Sequence, residues 1–166
     1  MSGVLARRRP HVAVIGPHQA TAEERDQARR VGAAVGTAGA VLVCGGLGGV
    51  MAAACAGAHH AGGLTVGLLP GTDRAEANEH VEVAIPTGLG EGRNVLVVRS
   101  ADAVVAVGGG YGTLSEVALA LRAGRPVVGL GTWELRRGGQ LDPGVVVAAD
   151  PTEAVALALA LADRRR

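Results

Sequence analysis

The stretch Val104-Val105-Ala106-Val107-Gly108-Gly109-Gly110-Tyr111-Gly112-Thr113-Leu114-Ser115-Glu116 constrains this chain more than any other, because an apolar run empties into a glycine-rich turn and then into a helical pattern. Glycines at a strand exit let the backbone take positive φ and come close to a ligand. The helix behind them presents unpaired N–H groups and a partial positive charge. Such a turn suits a phosphate. The arrangement occurs twice: upstream, Val41-Leu42-Val43-Cys44 runs into Gly45-Gly46-Leu47-Gly48-Gly49, and Val50-Met51-Ala52-Ala53-Ala54 opens the next helix. Either loop alone is explained by a tight strand-to-helix turn. Two together predict one nucleotide held between them.

Taken in order, His11-Val12-Ala13-Val14-Ile15-Gly16-Pro17 reads as a continuous apolar strand, buried on both faces because it does not alternate. Thr21 with Glu24 forms a capping box for a helix whose stripe is Ala28, Val31, Ala34 and Val35. After the Val41 strand and its helix come a strand over 64–70, a polar surface loop over 71–79 that could move over the site, and a shorter strand over 81–86. Val95 to Ser100 stands where a crossover helix is needed. Thr113 and Glu116 have capping-box spacing at the start of the next helix. Strands over 126–130 and 145–147 and a helix capped by Asp150 complete the chain.

This alternation predicts an α/β fold: a doubly wound parallel sheet, Rossmann-like, of about seven strands with helices on both faces. Residues 1–166 form one nucleotide-binding domain, with 1–10 a flexible lead-in. Gly16, Gly45 and Gly108 each close a strand at the same sheet edge, so ligand is expected in the crevice where the strand order reverses.

Composition narrows the chemistry. Sixteen basic residues against fifteen acids leave a net charge of +1, which lacks the basic field of a nucleic-acid binder. All sixteen are arginines, so neither a pyridoxal-phosphate Schiff base nor a Walker-type lysine is available. Phe is absent, and only Tyr111 and Trp133 could stack on anything. Cys44 and Cys55 show no metal-ligand spacing and read as buried free thiols in a reducing cytoplasm. No apolar run reaches membrane-spanning length, so a soluble cytoplasmic protein without a membrane partner is expected.

Neither glycine loop meets the dinucleotide fingerprint, since Met51 and Ser115 stand at its third glycine position, and a mononucleotide is favoured over NAD. Glu116 has two readings, a helix cap or a group facing ligand. Arg93 lies near a helix N-terminus, where a cation is mildly disfavoured, so an anionic partner explains it more economically. His18 could reach the crevice but reads first as solvated, and His59 and His60 suit the end of their helix. No metal or cofactor site is expected.

These residues resemble the LOG family. Gly109-Gly110-Tyr111-Gly112-Thr113-Leu114-Ser115-Glu116, with Arg93 and Gly45-Gly46-Leu47-Gly48-Gly49-Val50-Met51, is similar to its signature, and the resemblance covers roughly residues 11 to 130. The family includes the so-called lysine decarboxylase-like proteins, and its characterised members are cytokinin riboside 5′-monophosphate phosphoribohydrolases. The resemblance implies cleavage of AMP or N6-substituted AMP to free base and ribose 5-phosphate, with Glu116 and Arg93 catalytic. It places the ligand against Gly16, Gly45, Gly46, Gly48, Met51, Thr87, Asn94, Gly108, Gly109, Gly110, Tyr111, Gly112 and Thr113, in a homodimer. Gly108 stands where the motif P-G-G-x-G-T-x-x-E has proline, and Asn94 where lysine follows the arginine. In the stretch Thr87 to Asn94 and in Gly108-Gly109-Gly110 the chain looks more like the branch that includes molybdenum cofactor carrier proteins. That branch implies the alternative, a non-enzymatic carrier of a nucleotide or a pterin phosphate; a regulatory nucleotide sensor is a third reading.

Overall fold

Runs of Val, Leu and Ala without polar alternation need cover on both faces, and a parallel sheet between two helical layers supplies it. The computed structural model describes residues 8–165. Its elements are β1 (His11–Ile15), α1 (Ala22–Thr37), β2 (Val41–Cys44), α2 (Val50–His60), β3 (Leu64–Leu69), β4 (Val83–Pro86), α3 (Arg93–Arg99), β5 (Ala103–Val107), α4 (Tyr111–Arg122), β6 (Val127–Leu130), β7 (Arg136–Arg137), β8 (Gln140–Leu141), β9 (Val145–Val147) and α5 (Pro151–Asp163).

Seven strands form one parallel sheet in the order β4-β3-β2-β1-β5-β6-β9. The chain winds outward from β1 to β4, then returns to lay β5 on the other side of β1, with Val12 opposite Ala103. The order therefore reverses between β1 and β5, and the loops leaving these two strands diverge to opposite faces. On one face Val12, Val14, Leu42, Val105 and Val107 pack with Val31, Val35, Ala54 and Val155 of α1, α2 and α5. On the other, Ala13, Ile15, Val43, Val104 and Ala106 meet Val97, Val98, Val117 and Ala120 of α3 and α4. The expected doubly wound architecture is thus the observed one.

Without Phe, close packing comes from small residues. A Cβ on Gly32 would lie 1.9 Å from the carbonyl oxygen of Ala54, and one on Gly57 1.9 Å from that of Arg29, so α1 and α2 touch backbone to backbone. The helix starts are fixed locally. Thr21 Oγ1 accepts from Glu24 N at 3.1 Å while the Glu24 carboxylate accepts from Thr21 N at 2.8 Å, which completes the capping box of α1. Asp150 caps α5 by accepting from Glu153 N at 2.9 Å.

Several expectations need correction. Thr113 and Glu116 do not form a capping box: α4 begins at Tyr111 with Gly110 as its cap, which places both residues inside the helix, where they are buried. Of the loop over 71–79, Asn78 is bonded to the first glycine loop. The strand expected from residue 81 starts at Val83, and the crossover helix starts at Arg93. The β7–β8 hairpin was not anticipated. Of the lead-in, residues 1–7 lie outside the described residues. Arg9 and Pro10 belong to the fold, since Arg9 Nε donates to Gly39 O and Pro10 O accepts from Val41 N. Among the described residues no helix is long and apolar enough to cross a membrane.

Candidate functional site

At the carboxyl ends of β1, β2 and β5, where the strand order reverses, a crevice of about 430 Å³ opens. Its walls are the turn after β1 (Gly16, Pro17, His18), the first glycine loop (Gly45, Leu47) with Met51, the start of α3 (Arg93, Asn94), and Gly110, Gly112, Thr113 and Glu116 at the start of α4. Divergence of the neighbouring loops creates such a space whatever their sequence.

The two glycine loops have different roles. In the second, Leu114 is the first residue of α4 with a bonded amide, donating to Gly110 O at 3.0 Å. Among the described residues the amides of Gly109 to Thr113 have no acceptor. This is a cradle of open N–H groups at the positive end of a twelve-residue helix. The first loop is more nearly closed on itself. Val50 N donates to Pro17 O at 3.1 Å, Gly46 N to Cys44 Sγ at 3.3 Å, and a Cβ on Gly49 would lie 2.1 Å from His18 O. Asn78 holds the loop from outside, its Nδ2 donating to Gly46 O and Leu47 O at 3.2 and 2.9 Å. That loop is a wall, and only the second keeps its amides open.

Arg93 lies across Gly45. A Cβ there would fall 2.6 to 2.7 Å from three atoms of the guanidinium, so a side chain at this position would displace the arginine's end. One Nη donates to Asn94 Oδ1, while Nε is buried with no partner among the described residues. Burial lowers the Arg93 pKa, and the nearby Glu116 carboxylate opposes the change. Glu116, 8% exposed, is affected the other way: burial raises its pKa to about 7, against the pull of Arg93. The two face one crevice without closing into an ion pair. A guanidinium that lines the same crevice as open amides can accommodate an anion, and a carboxyl balanced near neutrality can donate or accept a proton.

Gly16, Gly45, Met51, Arg93, Asn94, Gly110, Gly112, Thr113 and Glu116 are therefore brought together. Six other candidates do not line the crevice. Gly46 and Gly48 are engaged with Leu69 and His18, and the Thr87 hydroxyl donates to Leu69 O at 2.7 Å. Gly108 and Gly109 form the positive-φ turn that opens the cradle, and Tyr111 projects outward, 83% exposed. His18, Leu47 and Glu91 do line it. The Gly16-Pro17-His18 exit from a buried strand is the signal that marks His18; nothing local marks the other two. Cys44 and Cys55 are buried free thiols, 3.4 Å apart beneath the first loop. Among the described residues no group of His, Cys, Asp and Glu is arranged to hold a metal ion.

Residues 9–155 match the SLOG cluster4 family. An uncharacterised protein of Archaeoglobus fulgidus is 44% identical over 119 residues, 72% of this chain and 78% of that protein. Among solved structures, the molybdenum cofactor binding protein from the phototrophic bacterium Rippkaea orientalis is 38% identical, with 94% of this chain and 99% of that one covered at a TM-score of 0.84. The Moco carrier protein from Chlamydomonas reinhardtii is 37% identical, with 95% and 99% covered at a TM-score of 0.82.

Proposed function

Because the chain belongs to the SLOG cluster4 family, we propose that its crevice carries a phosphorylated pterin of the molybdenum cofactor type and releases it unchanged. The observation that carries this reading is Gly108, which stands where the phosphoribohydrolase motif has proline. Its φ is +60°, and its amide donates to Leu130 O at 2.9 Å. Proline has a φ near −65° and no N–H. The cradle therefore follows a path the hydrolase motif cannot take. Likeness to two molybdenum cofactor-binding proteins over nearly the whole chain supports the same reading.

In this role the amides of Gly110, Gly112 and Thr113 hold the phosphate, and the Arg93 guanidinium, which lines the same crevice, adds positive charge. Glu116, half protonated near pH 7, offers an O–H to the cargo and adds little repulsion to the bound anion. The test is to incubate the protein with the molybdenum cofactor, or with AMP, and then pass it through gel filtration. The pterin should travel with the protein and be recovered intact, with no adenine released from AMP. Adenine release that disappears in Glu116→Gln would overturn the carrier reading.

That outcome would establish the second reading, a nucleoside 5′-monophosphate phosphoribohydrolase, which the environment of Glu116 favours. The C1′–N bond would break with its electron pair leaving on the base, which takes up a proton, while water adds to C1′ to give ribose 5-phosphate. Ionised Glu116 would stabilise positive charge at C1′ or take the proton of the attacking water, and Arg93 would hold the phosphate. The rate would then rise with pH through about 7. Both readings go with a cytoplasmic homodimer acting on small molecules; sedimentation tests the dimer.

A further inference from the structure

The chain's one tyrosine and one tryptophan stand together. The rings of Tyr111 and Trp133 are stacked, with centroids 5.8 Å apart and planes at 29°. Neither serves the core: Tyr111 is 83% exposed and Trp133 is half-buried. Trp133 follows β6, and its indole N–H donates to Gly110 O at 3.1 Å, which ties its ring to the cradle loop. Tyr111 is the first residue of α4, immediately before Gly112 and Thr113. It lines a second groove of about 510 Å³ that shares Glu91, Asn94 and Gly112 with the crevice. A ligand whose phosphate lies at Gly112 can therefore extend across that shared wall to Tyr111, against which Trp133 is stacked.

An exposed aromatic pair bound to an anion cradle, in a chain that spends no aromatic on its core, points to a ligand with a flat ring. The competing ring at the crevice is His18, whose Cε1 would lie 2.9 Å from a Cβ on Gly48, so its edge already packs against the first loop. We propose that Tyr111 and Trp133 form the platform on which the planar heterocycle of the ligand stacks, with its phosphate in the cradle. This rests on the phosphate-binding reading of the same crevice. A purine and a pterin both offer the required π face, and the platform accepts either.

Trp133 is the only tryptophan, so its emission reports on the platform directly. The full-length protein is mixed rapidly with AMP, with phosphorylated hydroxymethylpterin and with ribose 5-phosphate, following fluorescence before any turnover, and affinities are measured by calorimetry. The expected result is quenching by a heterocycle-bearing ligand and none by ribose 5-phosphate, which still binds. Comparing the first two ligands distinguishes purine from pterin. Tyr111→Ala should weaken the heterocyclic ligand roughly 5- to 150-fold and leave ribose 5-phosphate unchanged, and Tyr111→Phe should restore binding. If the heterocyclic ligands bind but Tyr111→Ala alters neither affinity nor quenching and Trp133→Leu leaves the affinity measured by calorimetry unchanged, the platform is refuted while the cradle stands. If Tyr111→Ala instead abolishes self-association with ligand affinity intact, the pair belongs to an interface between copies and the proposal fails. If no phosphorylated ligand binds the wild type, the cradle reading fails and takes the platform with it.

Discussion

Replacing Glu116 by Gln should remove most of the pH dependence of stability between pH 5 and 8. The carboxyl is 8% exposed, and burial moves its midpoint from 4.5 to about 7 despite the opposing pull of Arg93. At about 1.4 kcal/mol per pH unit, that displacement is worth about 3 kcal/mol. The folded protein holds this proton up to about pH 7, whereas the unfolded chain gives it up near 4.5. Across that window the folded state binds more protons, so stability falls as pH rises. The contribution is complete below about 4.5 and lost above about 7. Gln is neutral throughout and nearly isosteric. The variant should therefore lie within about 1 kcal/mol of wild type at pH 5 and exceed it by about 2 to 3 kcal/mol at pH 8, roughly 5 to 10 °C in Tm for a chain of this size. Urea unfolding of ligand-free protein, followed by circular dichroism at half-unit pH steps, measures it. Parallel stability profiles for the two proteins would refute the claim that burial of this carboxyl governs its protonation.

Three further outcomes follow from the loops. Restoring the hydrolase motif's proline, Gly108→Pro, should cost at least about 3 kcal/mol, because it forbids φ +60° and deletes the donor to Leu130 O; a variant of unchanged denaturation midpoint would contradict the loop path. Gly45→Ala should weaken binding of a phosphorylated ligand by roughly tenfold or more, since the methyl would occupy space within 2.7 Å of the Arg93 guanidinium. Calorimetry with unchanged affinity would show that Arg93 does not touch the ligand. Asn78→Ala removes both Nδ2 bonds to Gly46 O and Leu47 O and should cost about 2 kcal/mol. Hydrogen exchange should quicken at Gly45 to Gly49, and protection equal to wild type would mean that the loop holds itself.

Much of the architecture was legible because it is written in short-range pattern. Continuous apolar runs mark doubly covered strands, Thr21 with Glu24 and Asp150 with Glu153 mark helix starts, and glycine at the exits of β1, β2 and β5 marks the sheet edge where the crevice opens. The same short-range logic failed at Thr113 and Glu116. Their spacing satisfies a capping box, but the preceding glycines let α4 start at Tyr111 and draw both side chains inward.

What the sequence determined by itself was the order of strands and helices, the place of the crevice and the residue types at its mouth, because each depends on neighbours a few positions away. Only the tertiary structure decided which glycine loop keeps its amides open, that Arg93 lies over Gly45, that Glu116 titrates near neutrality, and that Trp133 meets Tyr111. Each of those depends on what distant segments place around a group. Burial, not residue type, sets the cost of a charge, and contact across the sheet sets which donors remain unpaired.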